Sequence, residues 1–329
     1  MLGDAGLSFS DFLGRQGTAR ATGRTPGPLA DLWSATWAGR GDYSLGASAV
    51  RALRMARVLA CSQAHQRLAA NPALRAHVAA VAPDDPLFWL SHEAYLARGL
   101  SARDRTSLAL SHYGFEAQRF DAGHLRRVYA EGGLTLWQAE ADGVAYDVRL
   151  MPGHDVLYEG GLSVVLHVNG GRVCVLSFSW APERIALGQG GQAVVPLVTR
   201  KQLAGDQSYQ AAFGKAFGQV MPASLCLAAL AGLAGALGQD RLVGIAADRH
   251  PAMTPLHRVH FERAYDEAWA AAGGQPTSPL GFVMELPFRF TPIDQLDRSR
   301  RRRAVARRGH MEALRQSAHA VIERRLKPA

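Results

Sequence analysis

The chain is poor in cysteine. Its three, Cys61, Cys174 and Cys226, are odd in number, far apart and each set among apolar residues. No disulfide framework and no zinc-binding spacing can be built from them, which leaves buried free thiols in a reducing compartment as the reading. Acidic residues are also short: 28 against 37 lysines and arginines, a formal net charge of +9 over 329 residues. An excess of that sign favours acidic partners, whether nucleic acid, anionic lipid or a phosphorylated cofactor. Met1-Leu-Gly-Asp4 offers neither a basic lead nor a long apolar run, so no signal peptide is expected and the expected location is the cytoplasm. Only Val220 to Gly238 invites comparison with a membrane span. It is rich in Ala and Gly and stands alone, so it reads as a buried core helix. No repeat of solenoid period is visible. What is present is 48% apolar and 20% charged residues, the composition of a globular chain with a real core.

The stretch from Pro222 to Gly274 organises the rest. Pro222-Ala-Ser224 opens a helix, with Ser224 available as a cap, and the run to Gly238 carries no charge. Arg241 to Ala247 is a short apolar run of strand length, ending in the turn-forming Asp248-Arg249-His250-Pro251. Phe261, Ala264, Tyr265, Ala268, Trp269 and Ala272 then recur on one face of a helix that Gly273-Gly274 ends. A charge-free helix beside an apolar strand belongs inside a layered core, and the strand's carboxyl end, with Asp248 and His250, is where such folds place ligands.

In chain order, residues 1–45 read as a loosely attached leader and 46–130 as a helical region. Helices are expected over Ser48–Leu68, Leu74–Val81 and Leu87–Arg98, the last burying Phe88, Trp89 and Leu90. Another follows from a Ser101/Asp104 capping box. Residues 131–329 read as an α+β core, continuous with the helices from 46 on. Leu134–Ala139 and Val144–Leu150 flank Asp142-Gly143, and Leu162–Val168 and Val173–Trp180 flank Asn169-Gly170, which predicts an antiparallel meander. About 40 glycine-containing residues after it take no assignment. Gly281–Pro287 is one more strand, and a long basic helix starts at Arg298, whose first eleven residues hold seven arginines. The predicted fold is α+β, with a mixed, mainly antiparallel sheet, an N-terminal helical layer and that C-terminal helix.

Several short strings stand in a telling order: His112-Tyr113, Leu176-Ser-Phe178-Ser179, Ile185 with Gln189-Gly190, Pro222, Asp248 with His250, Tyr265-Asp266 with Trp269 and Gly273-Gly274, Leu286-Pro287, then the arginines. Over residues 85–325 this resembles the VirK/YbjX family, domain of unknown function 535. The chain departs from the family pattern at Gly191, where a proline is usual, and in the C-terminal helix. The resemblance implies a bacterial protein linked with virulence or tolerance of antimicrobial peptides. The order of elements from Leu134 to Pro287 also looks like the GNAT acyltransferase arrangement, which implies an acyl-CoA or acyl-carrier-protein donor and an unknown peptide, protein or lipid acceptor.

Each candidate site has a plainer alternative. Gly188-Gln189-Gly190-Gly191 suits a phosphate-holding loop, although the GNAT loop has one residue fewer and its helix follows at once; otherwise it is a flexible turn. His112 reads as a general base or acyl relay, with Asp147 or Asp248 to orient it, or as a hydrogen-bonded core histidine beside Tyr113. Asp248 and His250 read as a base pair, or as a turn with a capping aspartate; no metal spacing joins them to His154, His257 or His260, and no metal is expected. Tyr265 and Trp269 read as core. The arginines, Arg301 and Arg302 among them, read as a solvated face or a phosphate-binding patch; nucleic acid comes last because the run has no stacking aromatics. The leading expectation is an acyltransferase-like enzyme. The alternative is a non-catalytic accessory protein that binds anionic membrane or a protein partner through the C-terminal helix.

Overall fold

Two dipeptides set the first half of the sheet. Asp142 and Gly143 have φ of 54° and 73°, Asn169 and Gly170 of 47° and 78°. Positive φ at both central residues gives the two-residue turn whose twist matches that of paired strands. The strands joined are β1 (Leu134–Ala141), β2 (Val144–Pro152), β3 (Leu162–Val168) and β4 (Gly171–Pro182), antiparallel throughout as expected. Asn169 adds a clamp: its side-chain oxygen accepts from the Ala145 N–H at 2.9 Å, and its own N–H donates to the Ala145 carbonyl at 2.8 Å. Period two then turns Tyr146, Val148 and Leu150 into the core and leaves Asp147 and Arg149 on the other face.

The sheet continues through β5 (Val194–Val198), β7 (Arg241–Ile245), β9 (Gly281–Glu285) and β8 (Gln275–Ser278), in the order β1-β2-β3-β4-β5-β7-β9-β8. The two residues of β6 (Lys201–Gln202) pair with β4. Only β5 and β7 run parallel among the named strands. A parallel neighbour needs a crossover, and helices supply it. The helices are α1 (Ala102–Arg119), α2 (Ala122–Ala130), α3 (Glu183–Ala186), α4 (Gln207–Ala216), α5 (Pro222–Ala236), α6 (Arg258–Ala264), α7 (Asp266–Ala271) and α8 (Arg298–Glu323). The chain passes from β5 to β7 through α4 and α5. The computed structural model describes residues 63, 67, 68, 70, 71, 95–153, 159–191, 193–199, 201–202, 207–218, 220–290 and 292–328, all within the unit Tyr43–Ala329.

The charge-free helix α5 packs on β3 and β4 on one side and along α8 on the other. Its small residues allow this: a Cβ at Gly232 would strike the Arg315 backbone and Ala318 of α8. Helix α5 is largely buried, and no described helix is long and apolar enough to cross a membrane. Cys174 and Cys226 are buried, as read from the sequence, and the Cys226 thiol lies 4.0 Å from the Cys174 carbonyl oxygen.

Several details differ from expectation. Ser224 does not cap α5; Met221 is the N-cap, with no side-chain bond, and Pro222 starts the helix. The single helix expected over Phe261–Ala272 is two, broken at Tyr265 (φ −114°, ψ −68°). At this break the Tyr265 hydroxyl meets His250 Nε2 at 3.0 Å. Residues 95–98 form bends and a turn rather than the end of a helix, with Leu96 at φ 61°. The unassigned stretch holds α3, β5, β6 and α4, and β8 lies in Gln275–Ser278, a polar edge with no apolar alternation to announce it. The leader, most of Ser48–Val81, residues Phe88, Trp89 and Leu90, and Cys61 lie outside the described residues.

Candidate functional site

Parallel neighbours end side by side, and ligands in such sheets bind just beyond those carboxyl ends. Here the ends are Val198 of β5 and Ile245 of β7. A cavity of about 470 Å³ lies between α5, α6, α7 and α8, with no residue of β5 or β7 in its lining. Leu176 of β4, Leu227 of α5, Trp269 of α7 and Met311 of α8 give it apolar walls, and Phe288 and Phe290 come in from the segment after β9. The Trp269 indole N–H donates to the Ile245 carbonyl at 2.9 Å, which ties the wall to the last residue of β7. The polar lining is Ser224, His260, Arg263, Glu267 and Arg307. Two guanidinium groups against one carboxylate favour an anionic group there. The start of α5 adds first-turn amides that no side chain caps.

Beside α6, also after β7, His250 is nearly sealed from solvent, at 2% exposure. Its Nδ1 accepts from the Ala252 N–H at 3.1 Å. The neutral ring therefore carries its proton on Nε2, which faces the Tyr265 hydroxyl at 3.0 Å and the Glu159 carboxylate at 3.9 Å. Asp248, two residues earlier, is exposed and takes no part. The capping carboxylate of this turn is Asp266, which accepts from the Ala247 N–H at 2.8 Å. Burial, with the nearby Asp248 and Glu262 carboxylates, raises the pKa of Asp266.

His112 on α1 has no solvent exposure. Its Nδ1 accepts from the Trp180 backbone N–H at 3.2 Å, and its ring meets Tyr113 edge-on at 4.8 Å. The imidazole packs directly on Gly161, just before β3, where any Cβ would overlap it. Burial lowers the His112 pKa to about 4, against the pull of the Glu116 carboxylate one turn along the helix. Glu116 accepts from the Trp180 indole at 2.6 Å and lies 3.6 Å from His124 of α2, all three without exposure. His112 thus belongs to a buried polar cluster between α1, α2 and β4, and it does not line the cavity at α5. Among the described residues no group of three or more His, Cys, Asp or Glu side chains is arranged to hold a metal ion.

The chain belongs to the DUF535 family. The model of that family, described as proteins of unknown function, matches residues 49–320, a span that includes the cavity and both histidine clusters. No curated protein matches the chain. No solved structure matches it either.

The remaining strings of the DUF535 chain are dispersed. Asp147 is bound by Arg149 at 2.6 Å and lies 3.2 Å from His167. Gly161, against His112, and His167 are six residues apart along one strand line, about 20 Å. His112 and Asp147 are therefore not brought together. Gly188 (φ 73°) and Gly190 (φ 101°) turn the chain from α3 into antiparallel β5, with Gly190 against the Glu183 side chain. No helix begins at that loop; the next is α4 at Gln207. Arg301 donates to the carbonyls of Leu296 at 2.8 Å and Asp294 at 2.9 Å, closing the turn before α8. Arg302 is exposed. Arg263, Glu159 and the pair Phe288 and Phe290 had no motif to mark them. Their chemistry comes from a fold that gathers β4, α5, α6, α7 and α8 at one place.

Proposed function

We propose that the protein is an acyltransferase-like enzyme that takes its acyl group from acyl-CoA or an acyl carrier protein. The observation that carries this reading is the cavity between α5, α6, α7 and α8, with apolar walls, two arginines in its lining and a tie to the end of β7 through Trp269. The strand order supports it by analogy. A meander, one parallel neighbour reached through a helix, a further helical segment and a closing hairpin is also the arrangement of the GNAT acyltransferases. The donor's parts fit the lining. Arg263, Arg307 and the uncapped first turn of α5 would hold its phosphates, and Leu176, Leu227 and Trp269 would take its apolar portion. The thioester so bound would supply the activated acyl carbon.

In this reading the phosphate-holding role passes from Gly188–Gly191 to the α5 end of the cavity. Tyr265 follows the lining residue Ala264 of α6, and its hydroxyl would protonate the departing thiolate while the acceptor's own proton passes to water. With its Nδ1 accepting from the Ala252 amide, His250 carries its proton on Nε2 and donates from there to the Tyr265 oxygen, which orients that hydroxyl. The Glu159 carboxylate, 3.9 Å from the same Nε2, helps to fix the ring. His112 holds the fold of α1 on β4.

Isothermal titration with acyl-CoAs of graded chain length tests the donor. Micromolar binding that weakens at least tenfold in Arg263→Gln/Arg307→Gln is expected. No binding of any acyl-CoA or acyl carrier protein would end the proposal. A turnover assay that reads free thiol separates the steps: Tyr265→Phe should keep donor affinity and lose transfer.

A further inference from the structure

The mouth of the cavity carries a second feature. Large apolar side chains stand in water at Met221 (55% exposed), Leu256 (88%) and Val259 (60%). Leu256, Val259, His260 and Arg263 follow one another at i, i+3, i+4 and i+7 through the turn Pro255–His257 and α6. They therefore share one helical face, and its last two members line the cavity. Met221 stands on the opposite lip, at the start of α5. On α8, Arg303 and Arg307 are four residues apart and exposed, on the face that carries Met311 into the cavity. The opening is thus bordered by apolar side chains and cations together. Val305, also exposed, lies elsewhere on α8 and is no part of it.

Single apolar side chains on a surface need no explanation. Three of them around the mouth of an apolar cavity, flanked by arginines, have the make-up of an interfacial surface. Arginine matches the phosphates of anionic headgroups, while Leu, Val and Met gain by entering the acyl boundary beneath. An acidic protein would satisfy the arginines and leave the apolar ring unexplained. We infer that this face docks on an anionic lipid bilayer, so that the cavity opens toward the headgroup–acyl boundary. Docking gives the site access to an apolar chain without passage through water. The inference stands on the exposed side chains, whether or not the cavity ligand is a thioester.

Flotation of the full chain tests it, with vesicles of phosphatidylcholine alone and of phosphatidylcholine mixed with phosphatidylglycerol. Wild type should float with the mixed vesicles and not with the neutral ones. Arg303→Gln should weaken binding about fivefold at low salt, and by less as salt rises. Leu256→Ser/Val259→Ser should weaken it at least tenfold at either salt, because the lost contribution is apolar. Leu256 and Val259 are exposed and do not line the cavity, so in the double variant thermal stability and acyl-CoA affinity without vesicles should be unchanged. Wild type that stays off the anionic vesicles, or floats equally well in the double variant, would overturn the inference. So would self-association in sedimentation that depends on Leu256 and Val259, which would give the face to a second copy of the chain. Flotation without acyl-CoA binding would instead sink the proposed function and leave the docking surface standing.

Discussion

Trp180 donates its indole N–H to Glu116 Oε1 across 2.6 Å, and neither side chain meets solvent. The carboxylate on α1 and the indole on β4 hold helix and sheet in one register. A buried carboxylate left without its donor costs about 3–5 kcal/mol. Trp180→Phe, which keeps most of the apolar volume, should therefore lose about that much in urea unfolding. Glu116→Gln keeps an acceptor for the indole, so its loss should be nearer 1 kcal/mol. Equal losses in the two variants would show that packing, not the hydrogen bond, fixes the contact.

The histidine beside them gives the fold a pH signature. His112 titrates near 4 in the folded chain and near 6.5 when unfolded. Between those values the unfolded state binds a proton that the folded state refuses. Its contribution to stability is complete above about pH 6.5 and falls as pH drops toward 4, by roughly 3 kcal/mol over the window. Urea midpoints measured from pH 7.5 to 4.5 should fall steeply in wild type. In His112→Gln, which can still accept from the Trp180 amide, the slope should be clearly shallower. Identical slopes would place the pH sensitivity in other groups, His167 first, whose pKa burial also lowers.

Gly161 and His112 occupy the same space in turn. Gly161→Ala drives a methyl into the imidazole, an overpacking that costs about 1–3 kcal/mol. His112→Ala leaves a void of its own. Joined, the two changes should partly cancel, so the double variant should be more stable than the sum of the singles by at least 1 kcal/mol. Thermal melts of the four proteins measure this, and strict additivity would contradict the contact.

Trp269 links the cavity to the sheet. Trp269→Phe removes the donor to the Ile245 carbonyl and should cost about 1 kcal/mol of stability. Because the indole also forms a wall of the cavity, acyl-CoA affinity should fall several-fold in the same variant, read by titration calorimetry. A loss of stability with unchanged affinity would detach the ligand from this wall.

How much of this was legible in the sequence depends on how local each cause is. Asp142-Gly143 and Asn169-Gly170 carry their turn chemistry in two residues, so the meander could be read directly. The Ser101/Asp104 box and the charge-free helix after Pro222 were readable for the same reason. Glu116 and Trp180 are 64 residues apart, and no spacing rule joins them. The break at Tyr265 answers to His250 rather than to helix propensity, so the apolar face over Phe261–Ala272 looked continuous. His112 and Asp147 each had a suitable residue type. Their separation follows from the positions of Gly161 and His167 on the β3 line, which only strand register reveals. The cavity draws its lining from β4, α5, α6, α7, α8 and the segment after β9, and no window of sequence contains it.

The parallel joint between β5 and β7 rests on two residue pairs, Leu197 with Val243 and Val198 with Gly244. The two hairpins of the meander close through two-residue turns at small entropic cost, and β2 reaches β3 through residues 153–161. This seam closes over a longer stretch of chain than the two-residue turns of the hairpins do, and the packing of α5 on β3, β4 and α8 holds what no turn holds.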